Sequence, residues 1–272
     1  MTMAPRIVAT TLLLAGALAL PQGAFQGAAA APWDGCHRAF FRIVIDVGHT
    51  KEVPGALSAR GVGEYEFNLA LSRTIEKALI EKGFPQTKLL ITPGRTQQGL
   101  VARVSHANQA SAQLMLSIHH DSVPREFLSK WEYDGKTRPY SDRFSGHSLF
   151  VSTENPQFQR SLEFAKLLGK GLKSRGLQYA KHYTEKFMGK KRRKLLDAEV
   201  GVYQYNELAV LMLTTLPSVL LEAGSIINRQ EEVAMASPER QKLIADAAVE
   251  AVEAFCQLPQ VHARPDPLTT AR

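Results

Sequence analysis

Cysteine is scarce in this 272-residue chain, which has only Cys36 and Cys256. That excludes a zinc site built from clustered thiolates, and any disulfide framework beyond one bridge. The H-E-x-x-H pattern of helical zinc sites is missing as well. No internal repeat is present, so solenoids and propellers are excluded. Past the first thirty residues no apolar run approaches the roughly 20 residues that a bilayer span needs, so stable membrane insertion is not expected.

What is present begins with an export signal. Arg6 is followed by an apolar stretch over residues 7–20, then Pro21 and a small-residue run over 27–31. This order predicts a secretory signal peptide over residues 1–31, cut near Ala30 or Ala31, and a periplasmic or extracellular protein. A short membrane anchor is the alternative, and the run is short for it. Export bears on the cysteines, since an oxidising compartment permits a bridge between them. Closing nearly the whole chain would stabilise it by roughly 3–5 kcal/mol, but spacing alone leaves both a bridge and two separate thiols open. The net charge is +7, and Arg6 is the only charge in residues 1–30. A basic exported chain is drawn to polyanions, although ordinary surface charge explains the same balance.

With 44% hydrophobic residues the chain can bury one ordinary core. Residues 41–47 (FRIVIDV), 88–92 (KLLIT), 113–118 (QLMLSI), 147–151 (HSLFV) and 218–222 (SVLLE) are short apolar runs and predict buried strands. Residues 65–82, 96–111, 158–175 and 238–255 carry apolar residues at helical spacing. Residues 208–213 fit either state. Strands alternating with helices predict an α/β fold: one domain over residues 37–258, with a doubly wound, mostly parallel sheet and helices on both faces. Residues 121–146 and 181–205, the second holding the basic run KKRRK at 190–194, interrupt the alternation and are expected to be long surface loops. The proline-bearing tail, residues 259–272, is expected to be disordered.

The polar residues at the predicted strand ends carry the chemistry. His49 closes DVGH, His119 lies in SIHHDS, Glu222 ends VLLE, and Glu64 opens the first helix. Parallel strands would bring the first three to one rim, and the long stretch between residues 50 and 64 can fold back to place Glu64 beside His49. Two imidazoles and a carboxylate make an open zinc site, and a further carboxylate can carry the proton of an amide hydrolysis. By themselves, histidines at strand ends are more often ordinary polar residues.

Read in order, IVIDVGH, GEYEFNLALS, ARVSHANQASAQLMLSIHHDS and LPSVLLEAGSIIN resemble the zinc-dependent N-acetylmuramoyl-L-alanine amidases of the amidase-3 type, over roughly residues 42–255. The resemblance implies Zn2+ held by His49, Glu64 and His119, with Glu222 catalytic. It also implies the doubly wound fold and hydrolysis of the amide between N-acetylmuramic acid and L-alanine in peptidoglycan. The chain departs from the family pattern at Ser225, after Gly224, and at Thr50–Lys51, after His49, which would alter the cleft wall but remove no ligand.

Around this set, Asp46 is expected to orient His49 as a hydrogen-bond acceptor, and His120 to stand beside the metal rather than on it. Arg95 and Arg103 pair either with substrate carboxylates or with Asp46 or Glu222. Glu66, two residues after Glu64 on the helix, should point away. His106 and His147 are assigned ordinary polar roles. The expected partners are peptidoglycan and an activator protein that uncovers the site, with no nucleic acid. A zinc carboxypeptidase acting on wall peptides and a non-catalytic peptidoglycan-binding protein are the competing readings.

Overall fold

The computed structural model describes residues 35–259 apart from 95 and 96; the side chains of residues 97–100 are also left out. The expected signal peptide, the tail beyond residue 259 and Arg95 lie outside the described residues.

The chain begins with strand β1 (Ile43–Val47) and helix α1 (Glu64–Glu81), followed by β2 (Thr87–Leu90), α2 (Gln97–Gln109) and β3 (Leu114–Asp121). A hairpin, β4 (Ser129–Tyr133) and β5 (Lys136–Tyr140), precedes β6 (Ser148–Val151) and α3 (Phe158–Ser174). After β7 (Lys194–Asp197), β8 (Val202–Gln204) and the short α4 (Ala209–Met212) come β9 (Ser218–Ser225), α5 (Arg229–Ala236) and α6 (Pro238–Gln257). The main sheet has seven strands in the order β2-β1-β3-β9-β6-β8-β7. β2, β1, β3 and β9 run parallel, while β6 is antiparallel to β9, and β7 to β8. The fold is thus the expected doubly wound α/β sheet, with two antiparallel pairings toward one edge.

Alternation along the strands divides the core into two layers. Ile43, Ile45, Leu114, Leu116, Ile118, Val219 and Leu221 pack with Leu71 and Ile75 of α1, Leu168 of α3 and Val252 of α6. Val44, Met115 and Leu220 pack on the other face with Val104 and Ala107 of α2 and Val210 of α4. Continuous burial along β1 follows from cover on both sides. Ser237 caps α6 through its Oγ, which accepts from the Arg240 amide at 3.2 Å, and Pro238 fills the first turn. A disulfide joins Cys36 to Cys256 with Cα atoms 5.0 Å apart, tying the entry of β1 to the end of α6.

Two sequence expectations are corrected here. Residues 121–146 are not a plain loop: they hold the β4–β5 hairpin, whose exposed, polar strands lack a buried face to mark them. Residues 181–205 contain two short 3-10 turns, the edge strand β7 and its neighbour β8. In addition, β9 runs on to Ser225, so Glu222 lies within the strand rather than at its end.

Candidate metal centre

His49, Glu64 and His119 converge, and one ligand atom from each lies within 4.8 Å of the others. Glu64 stands between the imidazoles, its Oε2 3.0 Å from Nε2 of His49 and its Oε1 3.0 Å from Nδ1 of His119. Three elements deliver them. β1 and β3 are parallel neighbours and carry the histidines to the same rim. Glu64 begins α1, and the preceding loop turns back on itself: the Glu64 amide donates to the Ala56 carbonyl at 2.8 Å and the Tyr65 amide to the Pro54 carbonyl at 2.9 Å. The stretch between residues 50 and 64 thus returns the start of α1 to His49.

The backbone is shaped around the rings. His49 holds a left-handed conformation, φ 63°, which a side chain with a Cβ rarely adopts. A Cβ on Gly48 would stand 2.4 Å from Nε2 of His119, and one on Gly55 would stand 2.5 Å from Oε2 of Glu64. Only glycine at both positions leaves room for this arrangement.

Burial alone would raise the pKa of Glu64, but hydrogen bonds from His119 and His49 outweigh it and hold the carboxyl well below the usual carboxylate range. Two imidazoles facing one carboxylate make a donor set that fits a divalent zinc-like cation with an open position. His120 faces the other way. Its Nδ1 lies 2.8 Å from Oδ1 of Asn68, and Asn68 donates to Oε1 of Glu64 at 3.3 Å. Burial drives the His120 pKa down to about 3, so the ring is neutral and braces Glu64 through Asn68.

Glu222 is the cross-strand neighbour of His119 and shares its face of the sheet. Its Oε2 is sealed from solvent without a hydrogen-bond partner. Burial first, then the charges of Asp121 and Glu64, push its pKa well above the ordinary value. Asp121 also accepts a 2.8 Å hydrogen bond from Tyr183 Oη, and Tyr183 is driven well above its usual pKa by burial, then by Asp121 and Glu222. Tyr183 and Asp121, neither singled out in the sequence, therefore wall the pocket of Glu222. A tyrosine amid a basic run gave no sign of this.

Asp46 does not orient the His49 ring. It is the cross-strand neighbour of Ser117, whose Oγ donates to it at 2.6 Å. Strand alternation turns it toward α2, where Arg103 pairs with it at 3.3 Å. Arg103 also donates to the carbonyls of Val47 at 2.9 Å and His49 at 2.8 Å, so its reach into the centre is through backbone. Glu66 and His106 are exposed, and His147 is buried at the head of β6.

The family model for N-acetylmuramoyl-L-alanine amidases, Amidase_3, matches residues 43–254. A Haemophilus influenzae relative, "Probable N-acetylmuramoyl-L-alanine amidase AmiB", is 26% identical over 231 residues, covering 78% of this chain and 51% of its own length. The chain therefore spans about half of that relative. Among solved structures, the N-acetylmuramyl-L-alanine amidase Ami1 of Mycobacterium smegmatis superposes with a TM-score of 0.59 at 20% identity, over 80% of this chain and 97% of that one. The CwlD amidase of Clostridioides difficile, solved in complex with the GerS lipoprotein, gives 0.55 at 18% identity, over 79% and 98%. Both share the fold.

Proposed function

Because this chain belongs to the Amidase_3 family of N-acetylmuramoyl-L-alanine amidases, we propose that it is a zinc-dependent peptidoglycan hydrolase. It cuts the amide that joins N-acetylmuramic acid to L-alanine and releases stem peptides. The observation that carries this reading is the three-sided His49–Glu64–His119 donor set with the proton-avid Glu222 on the neighbouring strand. His49, Glu64 and His119 hold the ion. The chemistry a bound zinc supplies is Lewis-acid polarisation of the scissile carbonyl and acidification of water to a pKa of about 7.

Glu222 supplies the proton traffic. Its carboxylate takes a proton from the attacking water, and the same group delivers it to the departing amine of L-alanine. Burial and the neighbouring Asp121 favour the protonated form halfway through this cycle, while a cation in the centre would favour the carboxylate at its start. His120 and Asn68 hold Glu64 in place, and Arg103 fixes the turn that carries His49.

The substrate lies outside the cytoplasm, so this activity needs the export that the N-terminal sequence predicts. Among the described residues no helix is long and apolar enough to cross a membrane. An activator protein is part of the proposal; the solved complex of CwlD with GerS supports it by likeness.

The test is a zinc determination and a wall digestion, run on wild type and Glu222→Ala. Wild type should carry about one zinc and release peptides with a free L-alanine amine, and Glu222→Ala should carry the zinc and release none. Release of single C-terminal residues would point to a carboxypeptidase instead. Undiminished digestion by the variant, or a protein without zinc, would overturn the mechanism.

A further inference from the structure

The charge of this chain is concentrated in one place. Residues 181–194 hold seven cations (Lys181, Lys186, Lys190, Lys191, Arg192, Arg193 and Lys194) against one carboxylate, Glu185. The whole chain has 33 cations and 26 carboxylates, so everything outside this segment is nearly balanced. Elsewhere several arginines find carboxylate partners, as in Arg38–Glu253, Arg60–Glu232, Arg103–Asp46, Arg175–Glu250 and Arg229–Asp142. Among the described residues none of the seven cations in the segment makes an ion pair. Six are exposed, and Arg193 is partly so. Nearly all of the chain's excess positive charge therefore lies in this one unpaired stretch.

The segment is also fixed beside the cleft. Tyr183 donates to Asp121 at the end of β3, the strand that pairs with Glu222-bearing β9. Met188 is buried, and the Phe187 ring packs 5.2 Å from Phe127 and 6.0 Å from Phe144. The Arg193 amide donates to the Tyr183 carbonyl at 2.7 Å, and its guanidinium lies 3.7 Å from the centroid of Tyr205. Met188 thus turns inward and Phe187 leans on Phe127 and Phe144 from the surface, while six of the cations face water, along a track that starts at the Asp121 end of β3. A basic run free to move would be an ordinary solvated face. One pinned to the site raises the concentration of anions where the reaction occurs.

We propose that residues 181–194 form an electropositive rail that grips the free carboxylates of peptidoglycan stem peptides and feeds the strand toward Glu222. This rests on the peptidoglycan-hydrolase reading and adds the part of the substrate that is recognised. Stem peptides present carboxylates at short, regular intervals beside the bond to be cut, which suits several fixed cations better than one buried pocket.

The experiment is a sedimentation assay with insoluble sacculi freed of covalently attached polymers, using the mature Glu222→Gln chain so that the sacculi persist. The comparison is with the same chain carrying Lys190→Gln, Lys191→Gln and Lys194→Gln. These three side chains are exposed and unpaired, and a melting curve verifies that the variant is folded. We expect its affinity to fall on the order of tenfold. Amidating the sacculus carboxylates, or adding about 0.5 M salt, should weaken the parent chain to a similar degree. Equal binding by the two chains would overturn the rail. So would undiminished binding to amidated sacculi, or retention on phosphatidylglycerol vesicles in place of sacculi. Retention requires no bond cleavage, so this outcome is separate from whether stem peptides are released.

Discussion

Gly48 lies against the ring of His119 so closely that a Cβ at residue 48 would stand 2.4 Å from Nε2. The two residues sit on parallel neighbours, and the Gly48 amide donates to the Ile118 carbonyl at 2.9 Å, so neither backbone can retreat without breaking the sheet. The methyl of Gly48→Ala must therefore move the imidazole. We expect bound zinc and hydrolysis to fall together by at least tenfold, while stability drops by only about 1–3 kcal/mol, the usual cost of overpacking. Zinc content and a denaturant melt, measured on one preparation, check this. Full zinc content in the variant would mean that His119 is not a ligand.

Glu222→Gln should separate catalysis from folding. The amide keeps the shape of the side chain but cannot cycle a proton, so hydrolysis should fall by roughly 10²–10⁴. The variant also removes a half-buried carboxylate whose Oε2 is sealed from solvent without a partner. The metal-free protein should therefore melt at a higher temperature than metal-free wild type. A lower melting temperature would mean that Glu222 has a structural role that its surroundings do not reveal.

Arg103 and Asp46 are both buried, 3% and 0% exposed. Arg103→Met leaves the aspartate uncompensated and should cost about 3–5 kcal/mol. Adding Asp46→Asn should restore part of that loss, because the surviving group is then neutral. A double-mutant cycle in urea measures the coupling, and strict additivity would show that the pair does not act as a unit. The turn bearing His49 loses the same guanidinium, so zinc affinity should weaken in the single variant too.

Burial lowers the His147 pKa from its ordinary value near 6.5 to about 4. The unfolded chain therefore takes up a proton that the folded chain refuses. Stability falls as pH drops from about 6.5 toward 4, and the loss is complete below the folded value. The full effect is on the order of 3 kcal/mol for this one group. His147→Leu should flatten that part of the stability profile. His120, lowered to about 3, leaves a second acid-sensitive slope in the variant. Equilibrium unfolding at pH 7, 6, 5 and 4 checks the difference, and an unchanged profile would show that His147 is hydrated in the folded state.

The central sheet was legible because its strands are covered on both faces and so appear as unbroken apolar runs, as in VLL of β9 and LML of β3. The β4–β5 hairpin and the strands β7 and β8 escaped notice. The hairpin is solvated and polar, and β7 and β8 are only four and three residues long. The positions of His49 and His119 follow from strand ends. That of Glu64 depends on backbone bonds to the Ala56 and Pro54 carbonyls that no side-chain pattern announces. Asp46 was assigned to His49 by closeness in sequence. The alternation of β1 faces it instead toward Ser117 and Arg103, and the counterion arrives from a helix 57 residues away.

The bridge between Cys36 and Cys256 spans 220 residues of sequence and closes the entire described sheet within one covalent ring. Its second half is encoded in the last helix, so oxidation must wait until almost all of the chain has reached an oxidising compartment. For an exported enzyme of the proposed kind, this makes the bond a record of delivery. A molecule that is still partly inside the cell, or truncated before α6, cannot acquire it. Its presence therefore marks copies in which both β1 and α6 have reached an oxidising compartment.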